Sequence, residues 1–255
     1  MRIGLISDIH GNLPALEAVL ARLEHDEIDR YVCLGDVAVG PWASETVKRL
    51  RSLDPDSILG NWDAWMLNGD PPCGNSPTGK MLLEMASFWA GRLDGEDLDY
   101  MRRAKTEIRF DIGPSRLSFF HGSPRSYNEP ILAATPTEEL AHMFDARVGP
   151  LVIVGHTHVQ MARRLPFTTI VNPGSVGLSF REWPVTSARV CPWADYAVID
   201  YHREDELSLD FRRVPYDAAA VIEYTLASGV PHAEWWTACW ELESGRVSTV
   251  APGSP

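Results

Sequence analysis

The sequence predicts an α/β protein, a sandwich of two β-sheets with helices outside. Three observations carry this. The first 60 residues alternate strand, helix, strand, helix, strand, the order of a parallel core. Five apolar runs each end in a residue of the metal-ligand type, and buried parallel strands read as such unbroken runs. Short β-like segments then recur at 161–165, 168–172, 194–201 and 206–213, a spacing that suggests an antiparallel second sheet.

The first strand, Ile3-Gly4-Leu5-Ile6-Ser7, runs into Asp8-Ile9-His10. A helix follows, because Asn12 can cap it, Pro14 suits its first turn, and Leu13, Leu16, Leu20 and Leu23 recur at helical spacing. The second strand, Tyr31-Val32-Cys33-Leu34-Gly35, runs into Asp36, and a second helix spans about 43–53. The third, Ser57-Ile58-Leu59-Gly60, runs into Asn61. Residues 69–79 are rich in breakers and read as a loop, with helical segments expected at 80–92 and 96–103. Residues 107–112 and 116–121 read as a hairpin around Gly113-Pro114, its second arm ending in Leu117-Ser118-Phe119-Phe120-His121. A helix at about 137–147 leads to Leu151-Val152-Ile153-Val154-Gly155, which runs into His156-Thr157-His158.

Beyond Pro215 the pattern is two helices and a polar tail. The expectation is one domain over 1–255, with the core at about 1–213 and a helical extension at about 214–255. Trp235, Trp236 and Trp240 in that extension read as a helix docked on the core through large rings; a substrate pocket or a dimer contact is the alternative.

A hydrophobic fraction of 45% and a charged fraction of 23% are ordinary for a soluble globular protein. No run approaches the roughly 18 apolar residues of a membrane span, and the N-terminus enters a strand pattern rather than a secretory leader, so a cytoplasmic location is expected. Cys33, Cys73, Cys191 and Cys239 form no CxxC pair and read as reduced structural thiols. A net charge of −12 argues against a nucleic-acid polymer as partner, since its backbone selects basic surface. It leaves room for a small phosphate ester held by metal ions, and a homo-oligomer remains open.

In open α/β sheets, function collects beyond the carboxyl ends of the strands. Asp8 and His10, read as an extended i, i+2 pair, would face the same way and grip one ion, as would parts of His156-Thr157-His158. Asp36 is a natural bridge, giving one oxygen to each of two cations. Asn61 offers a carbonyl oxygen, and His121 an imidazole nitrogen. This mixed N/O set suits first-row divalent metals. Two such ions activate a bridging water near neutral pH and stabilise phosphoryl-transfer charge. Gly35, Gly60 and Gly155 each precede a ligand and let the backbone approach a crowded centre. Asn12, at a helix N-terminus, is a candidate phosphate contact. His25, His142, His202 and His232 lack such context and read as surface or structural.

Asp8-Ile9-His10-Gly11-Asn12, Gly35-Asp36, Gly60-Asn61-Trp62-Asp63, His121-Gly122 and Gly155-His156-Thr157-His158 closely resemble the calcineurin-like metallophosphoesterases. Val171-Asn172-Pro173-Gly174-Ser175-Val176-Gly177 is similar to the small bacterial and archaeal phosphodiesterase branch. The resemblance implies a four-layer αββα sandwich of two mixed sheets flanked by helices, and a dinuclear site. It would place Asp8, His10, Asp36 and His158 on one ion, and Asp36, Asn61, His121 and His156 on the other. Manganese is the preferred cofactor, with iron, zinc or nickel as alternatives. Asn61, His121 and Asp63 would stand nearest the chemistry.

One position departs from the pattern. Many members carry histidine after the Gly-Asn pair, where it protonates the leaving group; here it is Trp62, which cannot. Asp63 is either a stand-in acid or, preferably, an orienter of a histidine. Trp62 is a candidate for stacking on an aryl or nucleobase group, with plain packing as the alternative. Arg181 is a candidate phosphate contact, with a surface salt bridge as the alternative. Tyr127 and Asn128, just after His121-Gly122, are either pocket-lining or ordinary loop residues.

The sequence therefore favours hydrolysis of small phosphodiesters. A phosphomonoesterase or phosphoprotein phosphatase with the same site is the enzymatic alternative. A non-catalytic scaffold, as in retromer-type proteins of this fold, would be expected to have lost a ligand, and this chain retains each one. A nuclease is a weaker option.

Overall fold

The structure, a computed structural model, describes residues 1–241 apart from 70, 71, 73, 75, 113–114, 145–147, 184–187 and 204–205; for 202, 203 and 206 it describes the backbone alone. The turn expected at Gly113-Pro114, Cys73, the side chain of His202 and the tail beyond 241 lie outside the described residues.

Five strands build the first sheet in the order β10-β9-β1-β2-β3. β1 (Arg2–Ile6), β2 (Arg30–Cys33) and β3 (Asp56–Ser57) run parallel, joined through helices α1 (Leu13–Leu23) and α2 (Ala43–Leu53). Asn12 caps α1 through Ala15 N–H at 3.2 Å. α3 (Asn61–Asn68), α4 (Pro77–Ala90) and α5 (Gly95–Met101) follow. α3 was not expected, since its residues lack a clear apolar stripe.

The second sheet has the order β4-β5-β6-β8-β7. β4 (Ile108–Ile112) and β5 (Ser115–Phe119) form the expected hairpin. α6 (Thr137–Met143) leads to β6 (Leu151–Ile153), then β7 (Met161–Arg164) and β8 (Thr169–Asn172). β9 (Trp193–Arg203) and β10 (Glu206–Pro215) return to the first sheet, where β9 pairs antiparallel with β1. This corrects the reading of 161–213 as one antiparallel sheet. Only β7 and β8 join the second sheet, whose middle pairings β5-β6 and β6-β8 are parallel. Alternation reports which face of a strand is buried, not which sheet it joins. α7 (Ala218–Ala227) and α8 (Ala233–Thr237) complete the described elements.

Three apolar layers separate four layers of structure, as the αββα expectation requires. Between the sheets lie Ile3, Leu5, Val32, Leu34 and Ile199 from one side and Leu117, Phe119, Ile153 and Val171 from the other. The outer face of the first sheet, with Ile6, Tyr196 and Val198, is covered by residues such as Leu16 and Leu20 of α1, Val47 of α2, Met85 of α4 and Val221 of α7. Trp236 and Trp240 pack in that same layer, Trp236 against Trp89 at 5.4 Å, so the C-terminal tryptophans dock a helix on the core. The outer face of the second sheet, with Val152 and Ile170, takes Leu140 and Met143 of α6. Ile153 and Val152 thus face opposite layers, the period of two that a strand dictates.

Candidate metal centre

The loops leaving β1, β2, β3, β5 and β6 meet at one edge of the two-sheet interface. Asp8, His10, Asp36, Asn61, His121 and His158 are buried, and His156 is half-buried. Backbone bonds lace these loops together: Asp8 N–H donates to Gly35 O at 3.0 Å, His10 N–H to Asp36 O at 2.9 Å, and Gly155 N–H to His121 O at 2.7 Å. His156 N–H reaches Asp8 Oδ2 at 3.1 Å.

Asp8, His10, Asp36, His156 and His158 all have positive φ, between 49° and 66°. They therefore do not form the extended i, i+2 pairs expected from sequence. The left-handed conformation costs about 1 kcal/mol or more per non-glycine residue and persists only where the surroundings enforce it. The close approach of loops is the enforcing factor. A Cβ on Gly60 would lie 2.1 Å from Asp36 Oδ1, and one on Gly35 would lie 2.4 Å from Gly60 N, so these two loops touch through glycine.

The side chains then converge. His158 Nε2 lies 3.2 Å from Asp8 Oδ1 and 3.2 Å from His10 Nε2. Asn61 Oδ1 lies 2.8 Å from His121 Nε2 and 3.0 Å from His156 Nδ1. Between these two groups stands Asp36 Oδ2, 3.7 Å from His10 Nε2 and 3.6 Å from His121 Nε2. The other oxygen of Asp36 accepts Trp62 N–H at 2.9 Å. A single oxygen of Asp36 therefore faces both groups, not one oxygen for each as expected.

Main-chain carbonyls fix the rings. His121 Nδ1 lies 2.6 Å from Leu34 O, and His158 Nδ1 lies 2.9 Å from Leu178 O. A carbonyl only accepts, so each Nδ1 carries hydrogen, and in the neutral ring each Nε2 is a bare lone pair aimed inward. His10 is bonded to the Val39 backbone and His156 to the Asn128 backbone.

The electrostatics are those of a crowded, dry cluster. Burial, with the neighbouring charge of His158, lowers His10 to about 3. Burial, with His121, likewise lowers His156 to about 3. Burial works against ionised Asp8, yet the pull of His158, His121 and His10 prevails and holds it below the usual carboxylate range. Burial, reinforced by the charges of Asp63 and Asp8, pushes Asp36 well above that range.

Such an arrangement lacks its own completion. Asp8 Oδ1 is buried with no hydrogen-bond donor. The inward lone pairs of His10 and His158 face each other, and that of His121 faces the Asn61 oxygen. Cations between them would satisfy every one of these atoms. Asp8, His10 and His158 form one group that could hold a metal ion, and Asp8, Asp36 and His121 another. The donor set of imidazole, carboxylate and amide oxygen fits first-row divalent ions.

The model of the calcineurin-like phosphoesterase superfamily domain matches residues 1–191. The chain belongs to the calcineurin-like phosphoesterase superfamily. A crystal structure of a metallophosphoesterase from Sphaerobacter thermophilus superposes with a TM-score of 0.70 at 27% identity, covering 94% of this chain and 98% of that one. A hypothetical protein from Pyrococcus horikoshii OT3 shares the fold with a TM-score of 0.72 at 21% identity, covering 90% and 94%. An uncharacterised protein of Methanocaldococcus jannaschii is 26% identical over 242 residues, 91% of this chain and 94% of its own.

Other candidates of this phosphoesterase fall outside the cluster. Asn12 is buried and fully used: its oxygen caps α1, and its amide donates to Gly177 O at 2.9 Å and is also bonded to Tyr216, so both N–H donors are taken and none is left for phosphate. Asp63 neither orients a histidine nor offers an acid. Its Oδ2 accepts Asp36 N–H at 2.7 Å and Gly60 N–H at 3.1 Å, and its Oδ1 accepts Val37 N–H at 3.0 Å. Arg181 is committed to Glu241 at 2.6 Å on the surface. Trp62 is half-buried and packs edge-on against Trp65. His232 pairs with Glu84 at 2.7 Å, away from the cluster.

Sequence reading missed the supporting groups. Ser7 Oγ donates to Asp8 Oδ2 at 2.5 Å, and Ser175 Oγ to Asp8 O at 2.7 Å. Asn172 Nδ2 donates to Gly155 O at 2.6 Å and Thr157 Oγ1 at 2.9 Å, pinning the loop that carries both late histidines. The Asn172-Pro173-Gly174-Ser175 run was the available signal for the last two; Ser7 carried none.

Proposed function

We propose that this phosphoesterase uses two divalent cations to hydrolyse small phosphodiesters. The observation that carries the reading is the convergence of imidazole nitrogens, carboxylate oxygens and the Asn61 amide oxygen around Asp36 Oδ2, with Asp8 Oδ1 buried and unpartnered, a donor set that divalent cations would satisfy. Asp8, His10, Asp36 and His158 would hold the first ion, and Asp36, Asn61, His121 and His156 the second, with manganese as the preferred metal. Bound there, the cations supply Lewis acidity toward phosphate oxygens and an activated water.

The protein's own contribution is orientation. The carbonyls of Leu34 and Leu178 keep His121 and His158 in the ligating tautomer. Ser7 fixes Asp8, and the Trp62 amide fixes Asp36. A diester with a stable leaving group is favoured because, among the described residues, neither of the two that follow Asn61 supplies an acid. Trp62 has none to give, and Asp63 is sealed among backbone amides. The net charge of −12 favours a small ester over a nucleic-acid polymer.

The test is manganese-dependent hydrolysis of bis(p-nitrophenyl) phosphate beside p-nitrophenyl phosphate, with Asp36→Asn as control. Diester turnover that exceeds monoester turnover and vanishes in the variant is expected. A strong monoester preference would reject the diester reading. Absence of turnover with manganese bound would reject catalysis on activated esters and favour a scaffold.

A further inference from the structure

His156 is the one member of the cluster that is half-buried, so the cluster meets solvent on its side. Beside it stands Trp183, itself half-buried, with ring centroids 5.9 Å apart and planes inclined by 53°. On the other ring at this end of the chain, Phe180 stacks on His158 at 4.4 Å and 22°. Phe180 lies on the ring of the buried His158, and Trp183, like Phe180 half-buried, lies beside the half-buried His156.

The two arginines nearby in sequence are already paired. Arg125, which precedes the Asn128 that binds His156, is held by Glu129. Arg181, two positions before Trp183, is held by Glu241. Beside His156, Trp183 therefore offers a π-face, and neither of these two arginines is a free cation.

We propose that Trp183 is a specificity-determining residue that stacks on a planar aromatic substituent of the phosphodiester, an aryl or nucleobase group. Trp183 stands at the half-buried side of the cluster, within reach of a substituent on a phosphorus atom held there. Stacking on an indole is sequence-tolerant in nucleobases because every base has a π-face. The proposal deepens the phosphodiesterase reading and rests on it.

Inert phosphonates test it without turnover. Phenylphosphonate and methylphosphonate are titrated calorimetrically into the manganese-loaded protein and into Trp183→Leu and Trp183→Phe. Leucine keeps apolar bulk without a π-face, and phenylalanine restores the face. The wild type is expected to prefer the phenyl compound by about tenfold, Trp183→Leu to lose most of that preference, and Trp183→Phe to retain it. Equal binding of both phosphonates by the wild type, or a preference that Trp183→Leu leaves intact, overturns this inference while the metal site stands. Failure of both phosphonates to bind the manganese-loaded protein rejects the phosphoesterase reading of the cluster and this inference with it.

Discussion

Asp63 holds the backbone of Asp36 rather than any histidine: its Oδ2 accepts the Asp36 N–H at 2.7 Å. The same oxygen accepts Gly60 N–H, and its Oδ1 accepts Val37 N–H, so one carboxylate clamps the β2 loop to the start of α3. Asp36, whose φ is a left-handed 54°, is thereby tied to the turn that carries Asn61.

Asp63→Asn replaces one acceptor by a donor that faces an N–H. Hydrogen bonds to a charged group are worth about 1.5–3 kcal/mol each. The variant is expected to lose about 2 kcal/mol of stability and at least about tenfold in manganese affinity. Urea denaturation and metal titration measure the two losses; an unchanged metal affinity would show that the clamp is purely structural.

The depressed His10 links stability to acid. Its folded value is about 3 against an ordinary 6.5, so between these limits the unfolded chain binds a proton that the folded chain refuses. The contribution of neutral His10 is whole above 6.5 and is lost as the pH falls toward 3. Relative to His10→Gln, the metal-free wild type is expected to lose about 1.4 kcal/mol per pH unit below pH 6. Denaturation of both proteins at several pH values decides this, and a pH-independent difference would contradict it.

Asn12 is expected to matter for stability and not for substrate. Asn12→Ala removes the α1 cap and the Gly177 contact, at about 1 kcal/mol for the cap alone. Asn12→Ser, which can still cap, should recover part of the loss. Both variants should keep the wild-type KM for bis(p-nitrophenyl) phosphate. A KM raised in both, with stability restored by serine, would return Asn12 to the substrate.

Trp62 contacts Asp36 through its backbone amide, so its side chain can change without loss of that bond. Trp62→His places a titratable group at the position where the family resemblance leads one to expect histidine. A positioned general acid contributes about 100-fold or more where the leaving group needs a proton. The ratio of alkyl monoester to activated diester turnover should therefore rise by about tenfold or more. An unchanged ratio would mean that the ring at this position cannot reach the leaving group.

By itself the sequence determined the α/β class, helices α1 and α2, the β4-β5 hairpin and the seven side chains that converge in space. Each of these is a local signal: a period, a cap, a turn, or a polar residue closing an apolar run. Parallel strands that end at one sheet edge then bring such residues together. What only the tertiary structure decided is where long-range partners lie. β9 and β10 carry the same alternation whether they extend the first sheet or the second, and pairing with β1 settles it. Asp63 sits in the family-like run Gly60-Asn61-Trp62-Asp63, yet its partners are amides on another loop. The left-handed turns at Asp8, His10, Asp36, His156 and His158 are imposed by loops touching through glycine, a constraint that no residue's own preference encodes. Trp183 beside His156 is likewise a meeting of distant segments. Periodicity names the face that a residue presents, and only packing names what that face meets.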